Sequence, residues 1–175
     1  MLCTNCGLCC MGALHSAAVL DAEEVPAAKD IGLPVLDREE PGFALPCPKL
    51  VNCTCTIYEH RPRVCGRYRC KLLQELENGD IDLTSALTKV DIAKMLLRDA
   101  RSTMPAAMSL LEARTAARAP LADGAKDQSG FAEAILLRLR TTALDVYLDR
   151  HFKNERDSQS FELSSIEPGP GDDKR

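Results

Sequence analysis

The sequence predicts a mostly α-helical protein in which a small, loop-rich cysteine module comes first and an antiparallel helical segment follows. Three observations carry that expectation. All nine cysteines, at positions 3, 6, 9, 10, 47, 53, 55, 65 and 70, fall in the first 70 of 175 residues. Proline and glycine punctuate the same stretch and leave little room for long periodic elements. Beyond about Arg67 the apolar residues recur at three- and four-residue intervals, the period of an amphipathic helix.

Taken in order, the elements begin with Asp21 and Glu24, whose spacing is that of a capping box opening a short helix. Pro26 and the Gly32-Leu33-Pro34 turn keep that helix short. Leu33 to Leu36 and Phe43 to Leu45 flank the turn-rich Asp37-Arg38-Glu39-Glu40-Pro41-Gly42 and predict a short β-hairpin. From about Arg67, Leu72, Leu73 and Leu76 form a stripe that stops at Asn78-Gly79, a C-terminal cap signal. Asp80 or Asp82 then caps a longer helix with Leu83, Leu87, Val90 and Leu97 on one face, interrupted by the polar Lys94. Pro105 ends it, and Ala106 to Ala119 predicts a further helix. Leu121 to Gly130 reads as a loop. Phe131 to Phe152 predicts the last helix, with Leu136, Leu139, Ala143, Val146 and Tyr147 near one face. The polar end, with its Pro168-Gly169-Pro170-Gly171 run, has the composition of a disordered tail. The expected organisation is therefore a cysteine domain over 1–75, a helical region over 76–153 that packs on it or on a partner, and a tail over 154–175.

Composition narrows the classes of function. A net charge of -4 excludes a generic polyanion binder. Aromatic residues make up 4% and Trp is absent, so large rings do little of the core filling and some other device has to hold the aromatic-poor parts. No apolar run approaches the length of a membrane span. Met1-Leu2-Cys3 leaves no room for a signal peptide, so the expected compartment is the cytoplasm. Disulfide frameworks are disfavoured there, and clustered cysteines call for metal ligation instead.

The first block, Cys3-Thr4-Asn5-Cys6-Gly7-Leu8-Cys9-Cys10, contains a C-x2-C step. A tight turn at that spacing brings two sulfurs to one ion, because zinc–sulfur bonds are only about 2.3 Å long. Gly7 can supply the positive-φ backbone that such a knuckle needs. Extended to Cys9, the C-x2-C-x2-C spacing also occurs in iron–sulfur loops. The adjacent Cys9 and Cys10 can hardly both face one ion, so they serve two centres or one of them is spare. A redox dithiol would need a strand before Cys3. Buried, reduced cysteines acting as small hydrophobes are a poor reading of such dense clustering.

The second block runs through Cys47-Pro48-Lys49-Leu50, Cys53, Cys55-Thr56-Ile57-Tyr58, Arg61-Pro62, Cys65 and Cys70. A bacterial-ferredoxin loop would place its Cys-Pro a few residues after the third cysteine, not as far downstream as Cys47-Pro48. The crowded cations Arg61, Arg63, Arg67, Arg69 and Lys71 would offset thiolate charge, a role preferred to phosphate binding in an acidic protein. Nucleic acid is not an expected partner. His60 could replace a cysteine as ligand, although a surface role is commoner. Tyr58 and Tyr68 fit packing beside the metal loop better than acid catalysis.

The succession C-T-N-C-G-L-C-C, C-P-K-L, C-T-I-Y-E-H-R-P and C-G-R-Y-R-C resembles the YkgJ-type cysteine-cluster family over about residues 1–75. That family is described as chelating zinc or iron and is named for its CxxCxxCC opening. By position the resemblance implies Cys3, Cys6, Cys9, Cys10, Cys47, Cys55, Cys65 and Cys70 as metal ligands, with Cys53 an extra. Where the family has Arg directly after the penultimate cysteine, this chain has Gly66 and then Arg67. The resemblance implies zinc or iron as the cofactor, and the C-x2-C-x2-C spacing leaves an iron–sulfur cluster open. One branch of the family is linked to lysine N-methylation.

Three classes of function follow: a metal-binding module, an iron–sulfur redox protein, and a metal-dependent protein-modifying enzyme such as a lysine N-methylase relative. No Ser/His/Asp set, phosphate loop or carboxylate pair supports the last, so no catalytic residue is assigned. Thiolates suit zinc and iron–sulfur centres alike. Beyond the metal ion, the Met-rich end of the long helix (Met95, Leu96, Leu97, Met104, Met108) offers an adaptable face for a protein partner or a second copy of the chain.

Overall fold

A single helical turn, α1 (Leu2–Cys6), opens the chain. It ends at Gly7, whose φ of +70° lies where an L side chain is strained. The computed structural model describes residues 2–36, 38–119 and 128–154. Two small antiparallel sheets follow α1. In the first, β1 (Ala17–Val19), β2 (Val35–Leu36) and β3 (Gly42–Ala44) lie in the order β1-β3-β2. The predicted hairpin is its β2–β3 half, with Val35 opposite Phe43. The third strand, β1, carries too short and plain a stretch, Ala-Ala-Val, to signal itself. Gly42 is required where β3 meets β1: a Cβ there would lie 2.7 Å from the Ala18 carbonyl oxygen.

Between β1 and β2, a 3-10 turn at Ala22–Glu24 runs into α2 (Val25–Asp30), with Pro26 in its first turn. As the Asp21–Glu24 spacing predicts, Glu24 reaches back to accept the Asp21 backbone N–H at 3.3 Å. The second sheet is the hairpin β4 (Leu50–Val51) and β5 (Thr54–Cys55), whose turn places Asn52 and Cys53 at positive φ. The sequence reading missed this hairpin.

The helical part starts earlier than expected and in two pieces. α3 (Arg63–Arg67) stops before Tyr68, and α4 (Lys71–Glu77) restarts after Cys70. α5 (Leu83–Ser102) is capped by Asp82, whose side chain accepts the Ser85 N–H at 2.7 Å. Its buried face is Ala86, Val90, Ala93, Leu97 and Ala100. The expected stripe is thus half right: Val90 and Leu97 are buried, but Leu83 is exposed. Small alanines let α5 sit close to its neighbours. α6 (Leu110–Arg118) begins at the Ser109–Glu112 capping box, four residues later than predicted.

α7 (Gln128–His151) begins before the predicted Phe131. The rest of the expected loop, and the tail from residue 155 on, lie outside the described residues. The assignment of α7's apolar face needs correction. Thr141, Leu144 and Leu148 are buried, together with Phe152 just beyond the helix, whereas Leu136, Leu139 and Val146 are exposed. Apolar residues occur on more than one face of this helix, so periodicity alone selected the wrong stripe.

Two buried clusters organise the fold. The larger joins Leu2, Leu8 and Leu14 of the cysteine loop to Leu72, Val90, Leu97, Leu144, Leu148 and Phe152. The smaller gathers Leu20, Ala28, Leu33 and Phe43 around the three-stranded sheet. Each fully buried leucine contributes about 2 kcal/mol of transfer free energy. The expected Met-rich face is divided: Leu97 is buried and Leu96 and Met104 pack on the larger cluster, while Met95 is exposed.

Candidate metal centre

All nine cysteines border one cavity of about 640 Å³ that lies between the two buried clusters. Its walls bring together residues as distant in sequence as Cys3 and Cys70. α1 carries Cys3 and Cys6, and the loop that follows carries Cys9 and Cys10. The second hairpin brings Cys55, paired in register with Leu50, and holds Cys53 at its turn. Cys65 comes from the short α3, and Cys70 caps α4. No disulfide joins any of the nine among the described residues.

Backbone hydrogen bonds fix the loops that carry these thiols. The Cys47 N–H donates to the Cys10 carbonyl at 2.7 Å, stitching the two blocks together. The Lys71 N–H donates to the Phe152 carbonyl at 3.0 Å, seating the turn at Cys70 on the end of α7. The Arg69 carbonyl, just before Cys70, accepts from Gln74 Nε2 at 2.8 Å and Asn154 Nδ2 at 2.9 Å.

Three cations from the helices hold the first loop by its carbonyls. Lys94 donates to Asn5, Arg101 to Met11 at 3.0 Å, and Arg114 to Ala13 at 2.7 Å. Lys94, a polar slip in the α5 pattern, is therefore in place because it reaches α1. Such contacts are invisible to local sequence reading, since their partners lie some 90 residues away or more.

The thiols are mostly enclosed. Burial pushes Cys6 up to about 12 and Cys10 up to about 11, and lifts Cys9 well above the ordinary thiol value. Cys65 keeps an exposed edge, yet the surrounding protein still pushes it to about 12. Burial likewise raises Cys3, Cys47 and Cys70. At several positions neighbouring thiols add to burial in raising the value: Cys70, Cys6, Cys10 and Cys3 act on Cys9, and Cys10, Cys47 and Cys55 act on Cys65. Desolvated thiols that repel one another as anions are a poor redox pair, but a bound cation relieves both penalties at once.

Of the five crowded cations, Arg61 and Arg69 oppose the raised values of the thiols, acting on Cys3, and Arg61 also on Cys65. Arg61 stacks 3.7 Å over the Tyr58 ring, and its guanidinium fills the space beside Gly66. Arg63 turns the other way, into ion pairs with Asp21, Glu23 and Glu24. Lys71 donates to the Arg150 carbonyl at 3.0 Å. Two lysines the sequence reading did not connect to the thiols oppose the rise as well, Lys94 at Cys6 and Lys49 at Cys47. His60 is exposed at the end of a 3-10 turn, and His15 packs edge-on against Tyr68.

The donor chemistry fits zinc or iron: thiolates, enclosed, with cations near. The spacing is looser than that of a finished site, for among the described residues no three His, Cys, Asp or Glu side chains converge tightly enough to hold an ion.

A cysteine-lined cavity stapled between a small sheet and a helical layer defines a metal-binding cysteine-cluster protein. The family model named CxxCxxCC, described as a putative zinc- or iron-chelating domain, matches residues 2–89, and the chain belongs to that family. Neither the curated proteins nor the solved structures compared contain a match to this chain. No helix among the described residues is long and apolar enough to cross a membrane.

Proposed function

We propose that the chain binds zinc or iron through Cys3, Cys6, Cys9, Cys10, Cys47, Cys55, Cys65 and Cys70, and that the metal holds the cysteine module, about residues 1–75, onto the helices. The observation that carries this is that all eight thiols border one cavity and no disulfide joins any of them. Thiols with raised values are protonated near neutrality, so binding releases protons and draws the sulfurs inward. Free energy of binding then becomes free energy of folding for the module. Cys53 stands outside the set, on a hairpin turn with φ +63°.

Bound zinc would supply structural cross-linking, and an iron–sulfur centre would add one-electron chemistry. Arg61, Arg69, Lys49 and Lys94 offset the thiolate charge in either case. Anaerobic purification with elemental analysis and a visible spectrum distinguishes the two. A colourless protein with zinc, or a brown one with iron and acid-labile sulfide, supports the proposal. A protein that takes up neither metal under reducing conditions refutes it.

A further inference from the structure

We infer that the eight thiols form two separate four-cysteine metal centres, Cys3, Cys6, Cys9 and Cys70 in one and Cys10, Cys47, Cys55 and Cys65 in the other, with the Cys9–Cys10 peptide as their boundary. This rests on the metal-binding reading above and divides its ligand set.

Packing separates the two groups. Cys6, Cys9 and Cys70 belong to the larger cluster, against the leucines of the helices. Cys47 packs instead on the smaller cluster around the three-stranded sheet, beside Val64, the neighbour of Cys65. Backbone bonding follows the same line. Cys10 is tied to Cys47 through the 2.7 Å hydrogen bond, and the Cys47 carbonyl in turn accepts the Leu50 N–H at 3.2 Å, the residue paired with Cys55. Cys9 thus packs on the larger cluster, while its neighbour Cys10 is tied through its carbonyl to Cys47 on the smaller one.

Chain placement gives the same division. Cys3 lies three residues before Cys6 on the single turn of α1, which packs against α5 of the helical layer. Cys65 lies on α3, which packs against β1 of the three-stranded sheet. Four thiolates satisfy a tetrahedral zinc ion, and four also satisfy an iron–sulfur cluster, so each group is a complete ligand set. Each group also has a lysine close by in the fold or the sequence: Lys94 donates to the Asn5 carbonyl beside Cys6, and Lys49 stands two residues after Cys47.

The test uses the full chain loaded anaerobically with zinc. Metal content is measured by native mass spectrometry for the wild type and for three double variants. Cys9→Ser/Cys70→Ser and Cys10→Ser/Cys65→Ser should each retain half of the wild-type metal, and Cys9→Ser/Cys10→Ser should retain none. In the wild type, which needs no variant to fold, limiting chelator followed by alkylation of freed thiols should label the cysteines in these two groups of four. Complete metal loss in both same-group variants, half retention in Cys9→Ser/Cys10→Ser, or labelling that mixes the groups would overturn the division while leaving metal binding intact. A wild type that binds no zinc and no iron would remove the underlying reading, and the division with it.

Discussion

Arg114 donates from Nη2 to the carbonyl oxygen of Ala13 across 2.7 Å, joining the helical layer to the loop that carries Cys9 and Cys10. The same guanidinium bonds Asp145 from Nε at 2.8 Å, and its side chain is only 4% exposed. Removing one partner of a buried, hydrogen-bonded ion pair costs about 3 kcal/mol, because the other charge is left behind. Arg114→Ala should lower stability by that order in a urea titration. Adding Asp145→Ala should recover part of the loss, and Arg114→Lys should not restore it, since an ammonium cannot reproduce the planar fork. A single variant as stable as the wild type would show that this bridge contributes nothing.

Glu24 performs a second long-range tie, accepting the Arg63 backbone N–H at 2.8 Å at the start of the helix that bears Cys65. That hydrogen bond, with the Asp21 N–H and the Arg63 charge, holds the Glu24 carboxyl below its usual 4.5. A carboxyl whose folded value is depressed stabilises the fold above the unfolded value, and that contribution disappears as pH falls through the folded one. Melting temperature measured from pH 6 down toward pH 3 should therefore fall less steeply in Glu24→Gln than in the wild type. Parallel curves would count against the tie.

The two faces of α7 should respond very differently to substitution. Leu144 is fully buried, and Leu144→Ala should cost about 3 kcal/mol through lost burial and a residual cavity. Leu139 is 60% exposed, and Leu139→Lys should change stability by less than about 0.5 kcal/mol. Comparable losses at both positions in chemical denaturation would mean that the exposed stripe is covered in solution.

Stripping the metal should loosen one part of the molecule more than the other. Chelation, or Cys6→Ser or Cys55→Ser, should accelerate amide hydrogen exchange across residues 2–75 by at least about tenfold, the equivalent of about 1.4 kcal/mol of lost local stability. α5 and α7 should be slowed or speeded far less, because alanine and leucine packing holds them together. Identical exchange and melting with and without metal would argue against the coupling of metal to fold.

Sequence reading succeeded where the cause of structure is local. Asp21–Glu24, Asp82 and the Asn78-Gly79 stop act within one turn of helix, and each is found in place. Gly7 was expected at positive φ and adopts +70°. It failed where the cause is distant. β1 is strand because Gly42 leaves space for its backbone, not because Ala17-Ala18-Val19 demands it. The buried face of α7 is chosen by α5 and α6, against which it packs. The cysteines lining the cavity were legible by spacing, while the loop-holding cations Lys94, Arg101 and Arg114 were not, since nothing near them in sequence names their carbonyl partners.

The hydrogen bond from Lys71 to Phe152 bears on the order in which the chain can mature during synthesis. Ribosomes release the first seventy residues, and all nine cysteines with them, well before α7 has been made. Leu2 and Leu8 then lack Leu144, Leu148 and Phe152, the neighbours that bury them in the finished protein. The nascent cysteine segment therefore stays incompletely packed until the last helix emerges. Thiol alkylation should stay fast in stalled ribosome-bound chains that still hold Phe152 inside the exit tunnel, and slow in chains whose C-terminal extension carries Phe152 clear of it.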